Sequence, residues 1–226
     1  MIAIIAAMRA EVDALLALMK NVHEQTKDGI LFWEGILADK SVVLMLSGVG
    51  KGNAALSTTL LLKNYDVSQL VNIGTAGGLK SNEEVLDLVI SACIVQHDFD
   101  TSALDGESGI GLHFVADASL KSLCEKVCEQ QQVPYHVGMI ASGDQFVSDP
   151  MLITSLLNKF PNALCAEMEA GGIAQVCTHF QIPFVVLRSL SDIAVKDDNH
   201  LEFMTYVQYA SKRSAALCLE LVKALR

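Results

Sequence analysis

Positive charge is scarce in this chain of 226 residues, where 16 lysines and arginines stand against 26 aspartates and glutamates for a net charge of −10. Nucleic acids and anionic membranes bind to cationic surfaces, so we expect neither as a partner. The chain also lacks an apolar run near the roughly 20 residues that a membrane helix needs. The apolar residues 1–8 contain no basic region, so they predict a first β-strand and not a signal peptide.

Paired cysteines are missing as well. The six cysteines include no Cys-x-x-Cys spacing, and most of them lie within apolar patterns. Cys124 and Cys128 are four residues apart on a predicted helix, but no cluster of further metal ligands accompanies them. We therefore expect reduced cysteines, no bound metal and a cytoplasmic protein.

The two common glycine motifs for nucleotide binding are absent. The turn at residues 47–52 has Asn53 where a dinucleotide fingerprint needs its third glycine, and it lacks the Gly-Lys-Ser/Thr ending of a P-loop. A second turn at residues 74–78 contains three glycines and Thr75, which leaves space and backbone amides for a ligand. We expect no cofactor from these turns, only a close approach of the backbone to some ligand.

The chain is rich in apolar segments that alternate with amphipathic ones, and 51 % of its residues are hydrophobic. Strands are predicted at 1–7, 31–37, 41–46, 70–73, 86–95, 138–141, 164–168 and 184–190. Helical patterns lie between most of these segments, and a long closing helix is predicted over 203–225. This alternation predicts an α/β fold, with a mostly parallel sheet and helices on both faces. The absence of a linker or repeat makes residues 1–226 a single expected domain.

The sequence also predicts a hairpin between two of these strands and a mobile loop elsewhere in the chain. Residues 31–37 and 41–46 are expected to form a hairpin, with Asp39 and Lys40 in its turn. Residues 101–111 are rich in glycine and serine and show little pattern, which predicts a mobile loop.

Acidic residues follow several of the predicted strands. Glu167 and Glu169 lie one residue apart, a spacing that puts both side chains on one face of an extended segment. Ligands of open α/β sheets bind at the carboxyl ends of the strands. We therefore expect one site to be built from six strand ends, which carry Glu11, Gly50, Thr75, Phe146, Glu169 and Asp192.

The composition of these strand ends suits a nucleoside. Three acids, an aromatic ring and a single arginine provide too little positive charge for a phosphate site. Carboxylates accept hydrogen bonds from sugar hydroxyls, and an aromatic ring stacks on a base. Separated carboxylates also suit glycoside cleavage, because one protonates the leaving group while another activates water.

Six motifs resemble those of the bacterial 5′-methylthioadenosine/S-adenosylhomocysteine nucleosidases. They occur in order along the whole chain, as Met8-x-x-Glu11-Val12 and as residues 47–51, 74–78, 142–146, 167–170 and 188–192. Glu-Met-Glu followed about twenty residues later by Arg-x-x-Ser-Asp is the specific part of the pattern. The resemblance implies a three-layer α/β/α fold with a mixed sheet and the hydrolysis of these nucleosides, in a homodimer that serves methionine salvage.

The resemblance also implies catalytic roles. Asp192 would be the general acid that protonates N7 of adenine, with Ser191 orienting it. Glu11 would be the base that activates water, and Arg188 and Thr75 would help to hold that water. The family usually has serine at the position of Thr75.

The remaining roles implied by the resemblance concern substrate binding. Glu169 would bind the ribose hydroxyls, Phe146 would stack on adenine, and the backbone of Val147 would read its edge. The sugar and its 5′ substituent would contact Met8, Met168 and Phe203, and Glu167 completes the expected binding set. The loop at 101–111 falls where the family takes part of its 5′ pocket, often from the partner subunit.

Other interpretations stay open at this point. A nucleoside phosphorylase of the same fold would need cationic groups around phosphate, which Glu11 would repel. Related hydrolases would prefer 5′-deoxyadenosine or aminodeoxyfutalosine, and a non-catalytic sensor would bind adenosine analogues without releasing adenine. Singly, Glu11, Glu169 and Asp192 could each be an acid at a helix start, and Phe146 and Phe203 could be core residues.

Overall fold

A computed structural model describes residues 1–195 and 199–225, with the side chains of 1–195 and 205–225. The strands are β1 Ile2–Ala6, β2 Lys20–Lys27, β3 Ile30–Leu37, β4 Lys40–Leu46, β5 Gln69–Gly78, β6 Leu88–Asp100, β7 Ile110–Val115, β8 Tyr135–Ser142, β9 Ala163–Glu167 and β10 Phe184–Ile193. The helices are α1 Arg9–Leu16, α2 Lys51–Asn64, α3 Ser102–Asp105, α4 Ala118–Gln131, α5 Pro150–Lys159, α6 Ala170–Phe180 and α7 Asn199–Ala224, with a 3-10 turn at Gly106–Gly109. None of the helices in these ranges is long and apolar enough to cross a membrane.

The ten strands form one mixed sheet in the order β10-β6-β8-β9-β5-β1-β4-β3-β2, with β7 paired to β6. The pairs β1–β4, β1–β5, β5–β10, β6–β8 and β8–β9 are parallel. An additional pairing of β10 with β5 closes the strands β10, β6, β8, β9 and β5 into a ring. The predicted α/β fold with a mixed sheet is confirmed.

Helices cover both faces of the sheet because its central strands are apolar on both sides. In β1, Ile4 packs into the cluster that holds Leu15 of α1 and Leu221 of α7. The next residue, Ile5, packs on the opposite face with Leu61 of α2 and Ile173 of α6. Successive side chains of a strand point to opposite faces, so a run of buried apolar residues needs a helical layer on each side.

The edge of β5 is the feature that opens the sheet. β10 runs along one edge of β5 from Leu70 to Gly78, so β1 and β9 must share the other edge. β1 pairs with β5 only as far as Asn72, and β9 begins to pair only at Gly77. Residues 73–76 therefore have no strand partner on that edge within the described residues, and β1 and β9 diverge there.

Some predicted elements need correction. The edge strand β2 was not predicted, because its sequence KNVHEQTK is polar and mostly exposed and has no apolar alternation. Residues 101–111, predicted to be a mobile loop, instead contain α3 and the 3-10 turn, and their last residues begin β7, a second strand that was not predicted. Local side-chain bonds order this segment, since Thr101 Oγ1 lies 2.7 Å from Asp105 Oδ2 and Asp100 Oδ1 accepts from the N–H of Ser102 at 2.9 Å.

The predicted hairpin is present, but its turn is one residue earlier than expected. Ala38 and Asp39 form the turn, with φ of 49° and 60°, and Lys40 already belongs to β4. Positive φ at both central residues is the geometry that matches the right-handed twist of the two strands.

Helices α4 and α6 end in the same way. Gln132 and Gln181 occupy the left-handed conformation at their C-terminal ends, with φ of 55° and 57°. In each helix the next residue donates a backbone hydrogen bond five residues back, from Val133 to Cys128 and from Ile182 to Cys177. Both glutamines are exposed, so their side chains contribute little packing in return for the unfavourable backbone conformation.

Replacing either glutamine by glycine should stabilise the protein, because glycine adopts positive φ without a Cβ clash. We expect Gln132→Gly and Gln181→Gly each to raise the free energy of unfolding by about 0.5–1 kcal/mol. Urea unfolding of the two variants measures this. Gln181→Ala is the matched control, since it also removes the side chain but keeps the Cβ; equal stabilisation by alanine and glycine would contradict the explanation.

Candidate active site

A cavity of about 220 Å³ lies at the open edge of β5, where Thr75, Ala76 and Gly77 form part of its wall. Ten of the twelve predicted site residues line this cavity: Met8, Glu11, Thr75, Phe146, Val147, Glu167, Met168, Glu169, Ser191 and Asp192. Segments from six different parts of the chain therefore meet, as the strand-end argument predicted. Thr75 and Asp192 belong to the strands β5 and β10 themselves, although they were expected just after the strands.

The other two predicted residues have different positions. Arg188 is buried in β10, with 1 % of its surface exposed, and it is not among the residues that line the cavity. The side chain of Phe203 lies outside the described residues.

Glu11 is held at the open edge by three backbone N–H groups. Its Oε2 accepts from Ala7 and Met8 at 2.9 and 3.0 Å, and its Oε1 accepts from Thr75 at 3.0 Å. The bond to Met8 caps the first turn of α1, so Glu11 is both a helix-start acid and a cavity residue. Burial raises the pKa of Glu11, although Arg188 and the three backbone donors act in the opposite direction.

Arg188 connects two acids and an amide behind the cavity wall. Its Nη2 donates to Glu167 Oε2 and, at 2.9 Å, to Asn72 Oδ1, and it lies 3.7 Å from Glu169 Oε2. A Cβ on Gly74 would overlap the guanidinium group, so only glycine leaves room for it at that position. The surrounding carboxylates, Glu167 first, raise the pKa of Arg188 against the effect of burial, so it stays cationic.

Glu167 and Glu169 both line the cavity, one from the end of a strand and the other from the start of a helix. Glu167 ends β9, while Glu169 caps α6 with φ of −125° and ψ of −37°. Glu167 Oε2 accepts from the N–H groups of Glu169 and Ala170 at 3.1 and 2.8 Å, and so satisfies the start of α6. Glu169 Oε1 accepts from the N–H of Gly50 at 3.1 Å, which joins the first glycine turn to the site.

The pKa of Glu169 is well above that of an exposed glutamate. Burial, followed by the neighbouring charge of Glu167, raises its pKa to about 7. Arg188 and the N–H of Gly50 oppose this shift because both favour the ionised form.

Asp192 approaches the cavity through an irregularity in β10. The pairing of β10 with β5 shifts register between Leu190 and Asp192, which is a β-bulge. Adjacent residues of a regular strand point to opposite faces, so the bulge explains how Ser191 and Asp192 both line the cavity. The Ser191 hydroxyl lies 2.8 Å from Asp192 Oδ1 and donates to it. Asp192 Oδ2 faces Gly77, where a Cβ would lie only 3.0 Å away.

The two acids predicted to be catalytic meet β5 at separate points. Glu11 binds the N–H of Thr75, and Asp192 packs against Gly77, two residues further along. Two residues of a strand span about 7 Å. The two acids therefore contact β5 at points separated along the strand, as a proton donor and a proton acceptor on opposite sides of a glycosidic bond require.

Comparison with known proteins identifies the family. The profile of the Phosphorylase superfamily matches residues 1–223. A 5′-methylthioadenosine/S-adenosylhomocysteine nucleosidase of Bacillus cereus strain B4264 is 39 % identical over 230 residues, covering 100 % of this chain and 99 % of the relative. The chain belongs to this nucleosidase family within the Phosphorylase superfamily.

Solved structures of the family have the same fold. The nucleosidase of Neisseria meningitidis in complex with methylthio-immucillin-A has a TM-score of 0.94 and 33 % identity, covering 99 % of both chains. A futalosine hydrolase of Helicobacter pylori has a TM-score of 0.93 and 31 % identity, over 99 % of this chain and 97 % of that one. The family resemblance expected from the sequence motifs is confirmed.

Several residues that shape this nucleosidase site were not predicted from the sequence. Val49 and Gln145 line the cavity; they lie within the motifs 47–51 and 142–146, but neither was predicted to be a site residue. Asn72 holds Arg188, and the hydroxyl of Ser214 in α7 donates to the carbonyl of Gly74 at 3.0 Å. Asn72 had a usable signal, because an amide inside the apolar run at 70–73 needs a buried partner. Ser214 gave no such signal, because a serine in a helix can bond to the backbone of its own helix.

Replacing Glu169 by glutamine should make the protein more stable above neutral pH. A carboxyl whose folded pKa is about 7 adds stability below its unfolded pKa of about 4.3, and that stability is lost as the pH rises through 7. We expect wild type to lose about 2 kcal/mol from this group between pH 5.5 and 8, whereas Glu169→Gln does not.

Thermal unfolding of both proteins across this pH range measures the effect. Between pH 5.5 and pH 8, the Tm of wild type should fall roughly 4–8 °C further than the Tm of Glu169→Gln. Subtracting the two curves removes the contributions of Glu11 and Glu83, whose pKa values burial also raises, and of His97, whose pKa burial lowers. Glu125→Gln, on the outer face of α4, is the control. Parallel curves for wild type and Glu169→Gln would contradict the raised pKa.

Proposed function

We propose that the protein hydrolyses the N-glycosidic bond of 5′-methylthioadenosine and S-adenosylhomocysteine, releasing adenine and the corresponding 5-thioribose product. The observation that carries this proposal is the position of Glu11 and Asp192, which line one cavity and meet β5 about 7 Å apart. Membership of the nucleosidase family supports the same reaction.

Asp192 is the general acid in this proposal. As the bond between the anomeric carbon and the base breaks, its electron pair moves into the adenine ring, and Asp192 delivers a proton to N7. The hydroxyl of Ser191 fixes one carboxyl oxygen at 2.8 Å, which orients the other one, on the side of Gly77, towards the base. A positioned acid of this kind contributes roughly 10²–10⁴-fold to the rate.

Glu11 is the general base. It takes a proton from water as the water oxygen bonds to the anomeric carbon. Three backbone N–H groups fix its carboxylate, so little reorganisation is needed when the proton moves. The raised pKa that burial gives Glu11 makes it a stronger proton acceptor than an exposed glutamate.

The charge around the sugar favours a cationic transition state. The carboxyl groups of Glu11, Glu167 and Glu169 line the cavity, and Arg188 is the cation that they face, so these acids favour positive charge where the oxocarbenium-like ring would develop. We assign the ribose hydroxyls to Glu169. Thr75 would help to hold the water, and Arg188, behind the wall, would act through the carboxylates that it binds.

The apolar part of the cavity would bind the base and the thioether. Phe146, 44 % exposed at the cavity wall, would stack on adenine, and the backbone of Val147 would read its edge. Met8 and Met168 would pack against the sugar. Phe203 stays a prediction for the 5′ substituent.

We further propose a cytoplasmic homodimer that acts in methionine salvage. Six free cysteines support a reducing compartment, and burial raises the pKa of all six, including Cys128 to about 11 and Cys177 to about 12. Leu104, 87 % exposed in α3, and Leu56, exposed on α2, offer apolar surface to a second copy. No nucleic acid or membrane is expected as a partner.

A substrate panel tests the reaction. We expect adenine release from 5′-methylthioadenosine and S-adenosylhomocysteine in phosphate-free buffer containing a chelator, with 5′-deoxyadenosine and aminodeoxyfutalosine as comparison substrates. Chromatographic detection of the released base measures this. A rate that requires phosphate, with a ribose-1-phosphate product, would establish a phosphorylase instead, and binding without base release would establish a sensor.

Amide substitutions test the two proton-transfer roles. Asp192→Asn and Glu11→Gln should each lower kcat by roughly 10²–10⁴-fold, because an amide neither donates nor accepts the required proton. Asp149→Asn, an exposed N-cap of α5 where asparagine also caps well, is the control and should retain wild-type turnover. Circular dichroism should show an unchanged fold, and near-normal turnover by Asp192→Asn would remove it from the acid role.

A further inference from the structure

Three charged side chains meet beside the cavity without lining it. Lys51 is the first residue of α2, Asp98 lies near the end of β6, and Asp144 follows β8. The Lys51 ammonium pairs with both carboxylate oxygens of Asp98 and lies 3.4 Å from Asp144 Oδ2. The side chains of Lys51 and Asp98 are 14 % and 28 % exposed, so their ion pair is less screened by water than a fully exposed pair, whereas the Asp144 side chain is 54 % exposed.

The same carboxylates also bind the backbone. Asp144 Oδ1 accepts from the N–H of Lys51 at 2.7 Å, and Asp98 Oδ2 accepts from the N–H of Asp144 at 2.9 Å. A Cβ on Gly50 would lie 3.3 Å from Asp144 Oδ1, so the glycine turn and the Asp144 segment are in close contact. The cluster therefore fixes the relative position of two backbone segments that are 93 residues apart in sequence.

Each of these segments continues directly into the cavity wall. On one side, the N–H of Gly50 donates to Glu169 Oε1, and Val49 lines the cavity. On the other side, Gln145, Phe146 and Val147 follow Asp144 and line the cavity. A change in the separation of the two segments would move the ribose-binding carboxylate relative to the base-stacking ring.

We propose that Lys51 is a positioning residue, whose ion pairs with Asp98 and Asp144 hold the Gly50 turn and the Phe146 segment at the separation that nucleoside binding requires. The assignment of Glu169 to ribose and of Phe146 to adenine rests on the proposed function. The effect of Lys51 on the pKa of Glu169 does not rest on the proposed function, because the hydrogen bond from Gly50 to Glu169 exists without substrate.

Lys51→Met tests the proposal, since methionine keeps a similar length and removes the charge. Without the ion pair the Gly50 turn should relax and weaken its bond to Glu169. That bond favours the ionised carboxylate, so its loss should raise the pKa of Glu169, which Glu167, Glu11 and Arg188 also face. In thermal unfolding without ligand, Lys51→Met should lose more stability than wild type between pH 5.5 and 8. Most of this excess should vanish in the Lys51→Met, Glu169→Gln double variant, and what remains belongs to His97, whose pKa Lys51 also lowers.

Kinetics provides a second readout. We expect Lys51→Met to raise the KM for 5′-methylthioadenosine about tenfold with a smaller change in kcat, because the acids Glu11 and Asp192 are held by other contacts. Lys51→Arg, which keeps the charge, should restore most of the wild-type KM. Lys121→Met removes a lysine from a surface pair with Glu125, 3.0 Å away, and should change neither readout.

The outcomes separate this proposal from the proposed function. Failure of wild type to release adenine would overturn the function and leave the ligand-free pH profile to decide the role of Lys51. A loss of stability in Lys51→Met that is equal at all pH values, with wild-type KM, would show a merely structural ion pair and overturn the proposal. If Lys51→Met does not fold, Asp98→Asn weakens the same pair while its amide oxygen can still accept from Asp144, and the same two readouts apply.

Discussion

The open edge of β5 is the constraint on which the site depends. β1 leaves this edge after Asn72 and β9 joins it at Gly77, so, among the described residues, 73–76 have no strand partner on that edge. A buried backbone N–H needs an acceptor, and the carboxylate of Glu11 supplies one to Thr75. The gap in the sheet thus creates both the space for a ligand and the reason for an acid at its floor.

The electrostatics of the site follow from that enclosure. Glu11, Glu167, Glu169 and Arg188 are all buried, and one arginine cannot offset three carboxylates. Buried charge is unfavourable for folding, and burial raises the pKa values of Glu11 and Glu169, with the charge of Glu167 adding to the effect at Glu169. The same imbalance favours a positively charged sugar, so the groups that cost stability are the ones that the proposed reaction uses.

The fold was largely predictable because its strongest signals are local. Buried central strands such as β1 and β10 are continuous apolar runs, and α4 and α5 show clear helical periodicity. The strand β2 was missed because an exposed edge strand has no buried face to impose a pattern. The Gly74–Gly78 turn was expected after a strand but belongs to β5, because pairing with β10 and β9 extends the strand through its glycines.

The sequence by itself determined the α/β architecture and, through its motifs, ten of the residues that line the cavity. Strand ends converge whenever parallel strands share a sheet, so acids placed after strands can be predicted to meet. Only the tertiary structure decided that Arg188 stands behind the wall, that a bulge turns both Ser191 and Asp192 inward, and that Lys51 joins two walls through Asp98 and Asp144. These features depend on pairings between residues far apart in the chain, and local sequence carries no record of which distant group completes a buried charge or hydrogen bond.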